Sequence, residues 1–293
     1  MKRDKKSLSI GILIATALGL LLAFAGSDKG VAVSGMAVFM LCCVFAYALN
    51  WIVFIPANIA QTERYYDLTG SLTYIGMILI AVCLSGPLDE RATIVAIMVG
   101  VWAVRLGSFL YIRIKQDGGD TRFDEIKTNP VRFFLAWTIQ ALWTIMTAAC
   151  ALAIITSNNK TPLDILGQIG IVVWIVGFLL EVIADSQKRA FKKDPAHAER
   201  FITNGLWAWS QHPNYFGEIM LWTGIAIMAV PILEGLQWAT LVSPLFVILL
   251  LTRLSGIPLL QAKANKRWGD DPQYQEYRNK TSLLVPLPPK QNE

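Results

Sequence analysis

Eight long apolar segments are the feature of this 293-residue chain that most limits the folds open to it. They run roughly over residues 8–25, 31–56, 69–85, 92–112, 131–156, 163–184, 215–233 and 237–260. A helix that crosses the hydrocarbon core of a bilayer needs about 20 mostly apolar residues, and most of the segments reach that length. The sequence therefore predicts an all-α fold, a polytopic membrane helix bundle with about seven or eight transmembrane helices.

The composition agrees with a membrane location and excludes several other classes of protein. Apolar residues make up 54% of the chain and charged residues only 16%, whereas soluble domains carry about 25% charge. A soluble globule of this size has no core large enough for so much hydrocarbon. Disordered, coiled-coil, collagen-like and disulfide-stapled secreted chains are also excluded. The four cysteines fall inside apolar runs without CxxC or Cys/His spacing, so no metal site is predicted.

Lys and Arg are distributed unequally among the connections between these segments. Twenty-one of the 26 lie in the N-terminal leader, in 57–68, 113–132 and 185–214, and in the tail 261–293, while the opposite loops carry only Lys29, Arg91 and Lys160. By the positive-inside rule the basic side is cytoplasmic. We therefore expect both termini and the loops 113–130 and 185–214 on the cytoplasmic side of the membrane, which is the inner membrane if the protein is bacterial.

A polar stretch between the second and third segments, N-I-A-Q-T-E-R-Y-Y-D, contains the first candidate site. On a helix, Glu63 and Asp67 lie four residues apart on one face, with Tyr65 beside them. A carboxyl group desolvated near a lipid-accessible cavity has a raised pKa and can act as an acid near neutral pH. Glu63, Tyr65, Gln61 and Asp67 are therefore the candidate catalytic residues, and a solvated loop with a helix cap is the alternative interpretation.

Arg105 and the loop that follows its span form the second group. An arginine within a span either snorkels to the interface or faces the bundle interior, where it can bind an anion. The loop reads G-G-D-T-R-F-D and adds Asp120 and Arg122 to a turn of the kind that can approach a phosphate. It is not a GxGxxG fingerprint, and no Walker motif occurs, so a Rossmann domain is excluded and a nucleotide must bind among helices and loops.

Residues 203–219 carry the densest group of polar and aromatic side chains, T-N-G-L-W-A-W-S-Q-H-P-N-Y-F-G-E-I. Pro213 and Gly217 predict a turn and the entry to a helix. The donors and aromatic faces that adenine, ribose and phosphates require come from Asn204, Trp207, Ser210, His212, Asn214 and Tyr215, and Glu218 follows on the next span. The alternative is an amphipathic interfacial segment. The basic tail, with Lys263, Tyr274 and Tyr277, suits either cofactor phosphates or anionic lipid head groups.

The motif N-G-L-W-x-W-S-x-H-P-N-Y-F-G-E, with a basic Arg-Trp segment about 50 residues later and a Tyr-Gln-Glu-Tyr…Leu-Val-Pro tail, resembles the C-terminal domain of the steroid 5-alpha-reductase family and its bacterial membrane relatives. The resemblance is specific over residues 174–286 and looser over 58–132. It implies a helical membrane bundle that holds NADPH on its cytoplasmic side and reduces a carbon–carbon double bond conjugated to a ketone. Residues 1–56 are then N-terminal transmembrane helices, and 57–293 form the catalytic domain with cytoplasmic cofactor-binding loops.

Matching motifs carry the family's cofactor contacts onto Arg105, Asp185, Arg189, Asn204, Trp207, Ser210, His212, Asn214, Tyr215 and Glu218. Asp185 is included because the segment from Gly177 to Asp185 resembles the family's glycine-to-aspartate helix end. The substrate half departs from the family, whose eukaryotic members use a Gln-Glu pair and a later Tyr. Here Thr62 precedes Glu63, and Trp102 stands where the later Tyr would fall.

The resemblance implies an NADPH-dependent reductase whose substrate is a hydrophobic enone, a 3-oxo-Δ4 steroid or isoprenoid-like lipid that enters from the bilayer. Membrane lipids are the other expected partners, nucleic acid is not, and a monomer is expected. Isoprenylcysteine carboxyl methyltransferases share the His-Pro-x-Tyr-x-Gly turn but bind S-adenosylmethionine. Their usual paired glutamates are replaced here by Gln261-Ala262-Lys263, which favours a phosphorylated cofactor over a cationic sulfonium. A non-enzymatic transporter or lipid-binding bundle is the second alternative.

Overall fold

The computed structural model describes residues 5–117, 120–197 and 199–289. Lys2 and Arg3 of the basic leader, Gly118 and Gly119 of the glycine-rich turn and Lys290 of the tail lie outside the described residues. The described chain is mostly helical. Its helices are α1 (Lys5–Gly26), α2 (Val38–Ile59), α3 (Tyr66–Leu84), α4 (Glu90–Asp117), α5 (Pro130–Thr156), α6 (Ile165–Lys193), α7 (Pro213–Ala229), α8 (Val242–Leu249), α9 (Gly256–Trp268) and α10 (Pro272–Lys280).

Seven helical segments of the described chain are long and apolar enough to cross a membrane. Six belong to α1 through α6, and the seventh is the continuous segment Gly235–Trp268. In that segment a 3₁₀ turn (Gly235–Leu241), α8, a π-helical stretch (Leu250–Leu254) and α9 follow one another. With 17 residues, α7 lies at the lower limit for a span. The predicted polytopic helix bundle is confirmed, and the chain is an integral membrane protein.

Residues 31–37, which the sequence predicts as the beginning of the second span, form a β-hairpin instead. Strand β1 (Ala32–Val33) pairs antiparallel with β2 (Met36–Ala37). In the turn between them Ser34 and Gly35 have φ angles of 52° and 81°. These left-handed conformations are incompatible with a continuing right-handed helix. As a result α2 begins only at Val38, later than the predicted start of the second span.

The chain forms two compact units, of which the first comprises residues 1–167 and 228–243. Its central helix is α5, which contacts α1, α2, α3 and α4. In the most apolar 18-residue window of α5, 78% of the residues are buried, against 28–39% in the other six spans. Many of these residues are Ala or Thr, whose small side chains let neighbouring helices approach closely in a membrane.

A buried arginine joins three parts of the first unit. Arg91, at the beginning of α4, is only 1% exposed. Its Nη1 donates to the carbonyl of Met228 at 2.8 Å, and its Nη2 donates to the carbonyl of Pro162 at 2.9 Å and to Asp164 at 3.0 Å. The sequence predicts Arg91 only as a loop charge. In the structure Arg91 is buried, and its hydrogen bonds link α4 to the connection from α5 to α6 and to segment 228–243.

The second unit comprises residues 168–227 and 244–293. Within it, α6 and α7 pack backbone against backbone at two glycine pairs. A Cβ atom added to Gly177 would lie 2.6 Å from the carbonyl oxygen of Gly217, and one added to Gly224 would lie 2.6 Å from that of Gly170. The partners are seven residues apart on each helix and therefore share one face. This crossing brings the C-terminal half of α6 beside the first turn of α7.

Candidate functional site

The residues predicted to be catalytic lie in the first unit, in the connection between α2 and α3. Because α2 ends at Ile59 and α3 begins at Tyr66, Glu63 lies in a turn and only Asp67 lies on a helix. The prediction that these two carboxylates share one helix face is therefore wrong. The φ angle of Gln61 is 49°, which interrupts the helical path, and its side-chain amide donates to the carbonyl of Asn58 at 2.7 Å.

Glu63 is a buried carboxylate held by two donors. It is 5% exposed, its Oε2 accepts a hydrogen bond from Lys127 Nζ at 2.9 Å, and its Oε1 accepts one from the backbone N–H of Asp120 at 3.1 Å. Burial raises the pKa of Glu63, but the two hydrogen bonds outweigh burial and hold this pKa below its ordinary value. The expectation of a protonated Glu63 near neutral pH is therefore wrong. The same pair raises the pKa of Lys127.

Asp120 and Arg122 pair with each other next to Glu63. The Nε of Arg122 lies 3.0 and 2.7 Å from the two carboxylate oxygens of Asp120, and its Nη2 also donates to that carboxylate. These hydrogen bonds raise the pKa of Arg122. Lys127 reaches Asp124 as well, at 3.3 Å. Asp120 and Arg122 therefore belong to the charged loop of the first unit that contacts Glu63.

The remaining polar candidates of the first unit, Tyr65, Asp67 and Arg105, are less buried than Glu63. Tyr65 is 55% exposed, and its hydroxyl has no hydrogen-bond partner among the described residues. Asp67 lies in the first turn of α3. Arg105 lies on α4 with its guanidinium 5.4 Å from the centroid of the Phe109 ring. Trp102, on the same helix, is buried and packs edge-on against Tyr74 at 5.1 Å.

The second unit brings together several of the residues predicted to contact the cofactor. The side-chain amide of Asn214 donates to Asp185 at 3.1 Å. The indole N–H of Trp207 donates to the carbonyl of Ala184 at 3.0 Å. Ser210 Oγ accepts the backbone N–H of His212 at 3.0 Å. The end of α6, the 3₁₀ turn Gly205–Ala208 and the first turn of α7 thus form one polar cluster.

His212 is a buried histidine that stays neutral. It is 7% exposed, and its ring stacks on Tyr215 with centroids 5.6 Å apart. Burial, with a smaller contribution from the charge of Lys188, lowers the pKa of His212 to about 4. Its Nδ1 has no hydrogen-bond partner among the described residues. A buried polar atom of this kind is a place where a bound ligand can make a hydrogen bond.

The tail residues have different roles in the structure. The Tyr277 hydroxyl donates to the carbonyl of Trp207 at 2.7 Å, so this residue supports the 3₁₀ turn. Tyr274 is buried, and both tyrosine rings contact Phe201. Burial raises the pKa of each tyrosine. Lys263 lies exposed on α9 and has no partner within the part of the chain that the structure describes.

Three further residues predicted to contact the cofactor lie at the edge of the polar cluster. Two other residues near the cluster, Lys188 and Glu181, were not predicted. Arg189 and Asn204 are exposed, and Glu218 is half-buried on α7. Lys188 Nζ lies 4.5 Å from the centroid of the Trp207 ring, and Glu181 is only 3% exposed. The spacing of Glu181, Asp185 and Lys188 places all three on one face of α6, a signal that the sequence does contain. No sequence signal connects Lys127 with Glu63.

Comparison with known proteins gives a family and two distant relatives. Residues 53–281 match the family described as "Protein of unknown function (DUF1295)". The rat (Rattus norvegicus) 3-oxo-5-alpha-steroid 4-dehydrogenase 1 is 25% identical over 118 residues, 40% of each chain. The "Probable O-methyltransferase ustE" of Ustilaginoidea virens is 27% identical over 70 residues, 24% of this chain and 25% of its own. The chain therefore spans less than half the length of these relatives, and no solved structure matches it.

Proposed function

This chain belongs to the DUF1295 family, and we propose that it is an integral membrane reductase that uses NADPH to reduce a carbon–carbon double bond conjugated to a ketone. The distant similarity to the rat 3-oxo-5-alpha-steroid 4-dehydrogenase supports oxidoreductase chemistry, and it agrees with the resemblance seen in the motif around His212. The observation that carries the proposal is the buried His212, whose Nδ1 has no partner among the described residues.

The polar cluster of the second unit fits a nicotinamide dinucleotide. His212 Nδ1 offers a hydrogen bond in a desolvated position, and Tyr215 and Trp207 offer aromatic faces. Lys188 and Arg189 place positive charge at the end of α6, as phosphate groups require. We assign cofactor binding to these residues with Asp185, Asn204, Ser210, Asn214 and Glu218. Lys263, which also belongs to the second unit, keeps its predicted cofactor role as part of the proposal. The cofactor roles of Arg105, Asp120 and Arg122, which lie in the first unit, stay predictions from the sequence.

When bound, NADPH supplies a hydride to the β-carbon of the enone. Negative charge then develops on the carbonyl oxygen, and a hydrogen-bond donor must stabilise it until a proton from water reaches the α-carbon. An ionised Glu63 cannot donate. We assign this role to Tyr65, whose hydroxyl is exposed and has no partner in the described chain. Glu63 then acts as a positioning residue, which anchors Lys127 and the loop of Asp120 beside the α2–α3 connection.

The substrate we propose is a lipid-soluble enone, a 3-oxo-Δ4 steroid or an isoprenoid-like lipid, that enters from the bilayer. A helix bundle in the membrane gives such a molecule access without passage through water.

We place the cofactor on the cytoplasmic side because most Lys and Arg lie in the connections of that side. Trp209→Cys should react with a membrane-impermeant thiol reagent only from the cytoplasm and Lys160→Cys only from outside. The reverse pattern would contradict this orientation.

A second candidate function is transfer of a methyl group from S-adenosylmethionine. It is favoured by the similarity to the fungal "Probable O-methyltransferase ustE". The positive charge of Lys188 near Trp207 argues against a cationic sulfonium at that position. The two functions differ in the cofactor that the protein binds.

Titration calorimetry of the detergent-solubilised protein with each cofactor separates the two functions. We expect NADPH to bind and S-adenosylmethionine not to bind. His212→Phe keeps an aromatic ring but removes the nitrogen, and should weaken NADPH binding by about tenfold, as expected for one lost hydrogen bond. Trp209→Phe, at an exposed position of the same segment, is the matched control and should bind normally. Binding of S-adenosylmethionine without NADPH would overturn the reductase proposal.

A further inference from the structure

The described chain continues beyond α10 and lies beside the segment that carries the polar cluster. After Lys280 it reads T-S-L-L-V-P-L-P-P and is not helical. Proline cannot continue a helix and disfavours helical backbone in the residue before it, which accounts for the change of structure. Ser282 pairs with Ser210 in a parallel β-bridge. We call residues 277–287 the C-terminal strap, and they belong to the second unit together with segment 207–212.

Main-chain hydrogen bonds join the C-terminal strap to segment 207–212. The backbone N–H of Leu287 donates to the carbonyl of Trp209 at 3.1 Å. The backbone N–H of Gln211 donates to the carbonyl of Ser282 at 2.8 Å. A segment outside helices and sheets has to find partners for its main-chain groups elsewhere in the chain or in water. The strap supplies such partners and thereby restricts the backbone of this segment.

Side chains add two further contacts between the strap and the segment. Ser210 is fully buried, and its Oγ donates to the carbonyl of Leu284 at 2.7 Å while it accepts the backbone N–H of His212 at 3.0 Å. The Tyr277 hydroxyl donates to the carbonyl of Trp207 at 2.7 Å. The strap is therefore linked to both ends of the segment, including the histidine whose Nδ1 is left for a ligand.

Gln211, for which the sequence predicts no role, is bound to the strap through its side chain as well. Its Nε2 donates to the carbonyl of Arg278 at 3.1 Å and to that of Thr281 at 2.8 Å. Arg278 lies in the last turn of α10, where the carbonyls of a helix have no partner within the helix. One amide group thus caps the end of α10 and holds the beginning of the non-helical part of the strap.

We propose that Gln211 is a positioning residue for cofactor binding, whose amide fastens segment 207–212 to the C-terminal strap. The inference rests on the proposed function and extends it, because it adds a residue whose amide hydrogens are already bound within the protein. Gln211 directly precedes His212, and Ser210 on its other side shares one hydroxyl between the strap and His212. Loss of the Gln211 amide therefore loosens the segment at the residue that offers Nδ1 to a ligand.

The test measures NADPH affinity, enone-dependent turnover and hydrogen exchange of residues 205–216 with the full chain in nanodiscs. Gln211→Ala removes both side-chain hydrogen bonds, and Gln211→Glu sets an oxygen against two carbonyl oxygens. Both variants should bind NADPH about tenfold more weakly and exchange faster in this segment. Their kcat at saturating NADPH should stay within about twofold of the wild type, because a residue that only supports binding does not act on the reacting atoms.

Gln275→Ala is the matched control. Its Nε2 donates to the carbonyl of Gly269 at 2.8 Å, so this change also removes a glutamine hydrogen bond near the end of the chain but none to segment 207–212. It should bind NADPH normally. Tyr277→Phe removes the separate contact with the Trp207 carbonyl and should also weaken NADPH binding, which decides the question if the Gln211 variants do not fold.

The possible failures can be told apart. If the Gln211 variants exchange faster but bind NADPH as tightly as the wild type, the strap only stabilises the fold, and the inference is wrong while the reductase proposal stands. A lower kcat with unchanged NADPH affinity would also contradict the inference. If the wild type does not bind NADPH, the proposed function is wrong and the inference falls with it.

Discussion

Lys127 and Glu63, 64 residues apart in the chain, form an ion pair with Nζ 2.9 Å from Oε2. The carboxylate is buried, and the ammonium is partly exposed. The pair fixes the loop before α5 against the connection between α2 and α3. It also sets the protonation state of the carboxylate that the sequence suggested as an acid.

Lys127→Met should make the protein less stable at neutral pH and less sensitive to acid. The lowered pKa of Glu63 contributes stability that is fully present above the ordinary carboxyl value of 4.5 and is lost as the pH falls through the lower folded-state pKa. Without the ammonium this contribution disappears, at a cost of about 2 kcal/mol. Thermal unfolding from pH 3 to 8 would show the flatter profile. Lys127→Arg should restore the wild-type profile, and a wild-type profile in Lys127→Met would contradict the pairing.

Tyr65→Phe should slow enone reduction without weakening NADPH binding. Loss of one donor to a developing oxyanion typically lowers kcat by about 100- to 1,000-fold. The assay is enone-dependent oxidation of NADPH, with NADPH affinity measured separately. Tyr111→Phe removes a hydroxyl from another exposed tyrosine and should have no effect. A fully active Tyr65→Phe together with an inactive Glu63→Gln would return the donor role to Glu63.

Gly217→Ala should disturb the crossing of α6 and α7. The new methyl group would lie 2.5 Å from the carbonyl oxygen of Gly177 and 2.7 Å from the backbone nitrogen of Glu181, so the helices must separate. We expect a loss of about 1–3 kcal/mol in the free energy of unfolding. Gly100→Ala on α4 is the matched control, because its Cβ meets no atom within 4 Å, and it should be neutral or stabilising. Equal stability of the two variants would show that the crossing is looser than described.

Arg91→Met should destabilise the first unit more than Asp164→Asn does. The arginine change leaves the carbonyls of Met228 and Pro162 without their donor, whereas Asp164→Asn leaves both of those hydrogen bonds in place. Breaking such a buried set costs about 3 kcal/mol. Thermal unfolding in detergent measures the difference. If Asp164→Asn proves as harmful as Arg91→Met, the ion pair and not the carbonyl contacts stabilises this region.

The sequence predicted the spans well because each is encoded in a continuous run of apolar residues. The beginning of α2 was misplaced because Ser34 and Gly35, in left-handed conformations, form a turn that hydrophobicity does not report. In the same way, the left-handed conformation of Gln61 ends the helical path of α2 and leaves Glu63 in the connection before α3, whose first turn carries Asp67. Both predictions were wrong because hydrophobicity and composition do not report local backbone conformation.

The candidate sites also differ in how far the sequence could predict them. The polar cluster around His212 could be predicted because its residues are close in sequence and resemble a known motif. The pKa of Glu63 could not, because it depends on Lys127 and on the backbone of Asp120, which only the folded loop brings near.

The hydrogen bond from Arg91 to Met228 joins residues 137 positions apart, and this distance has a consequence for biosynthesis. When the ribosome has produced α4, neither Asp164 nor the Met228 carbonyl yet exists. A lone guanidinium is costly inside hydrocarbon, so it has to remain at the membrane surface until those partners are translated. Assembly of the first unit therefore finishes only after Met228 has been translated.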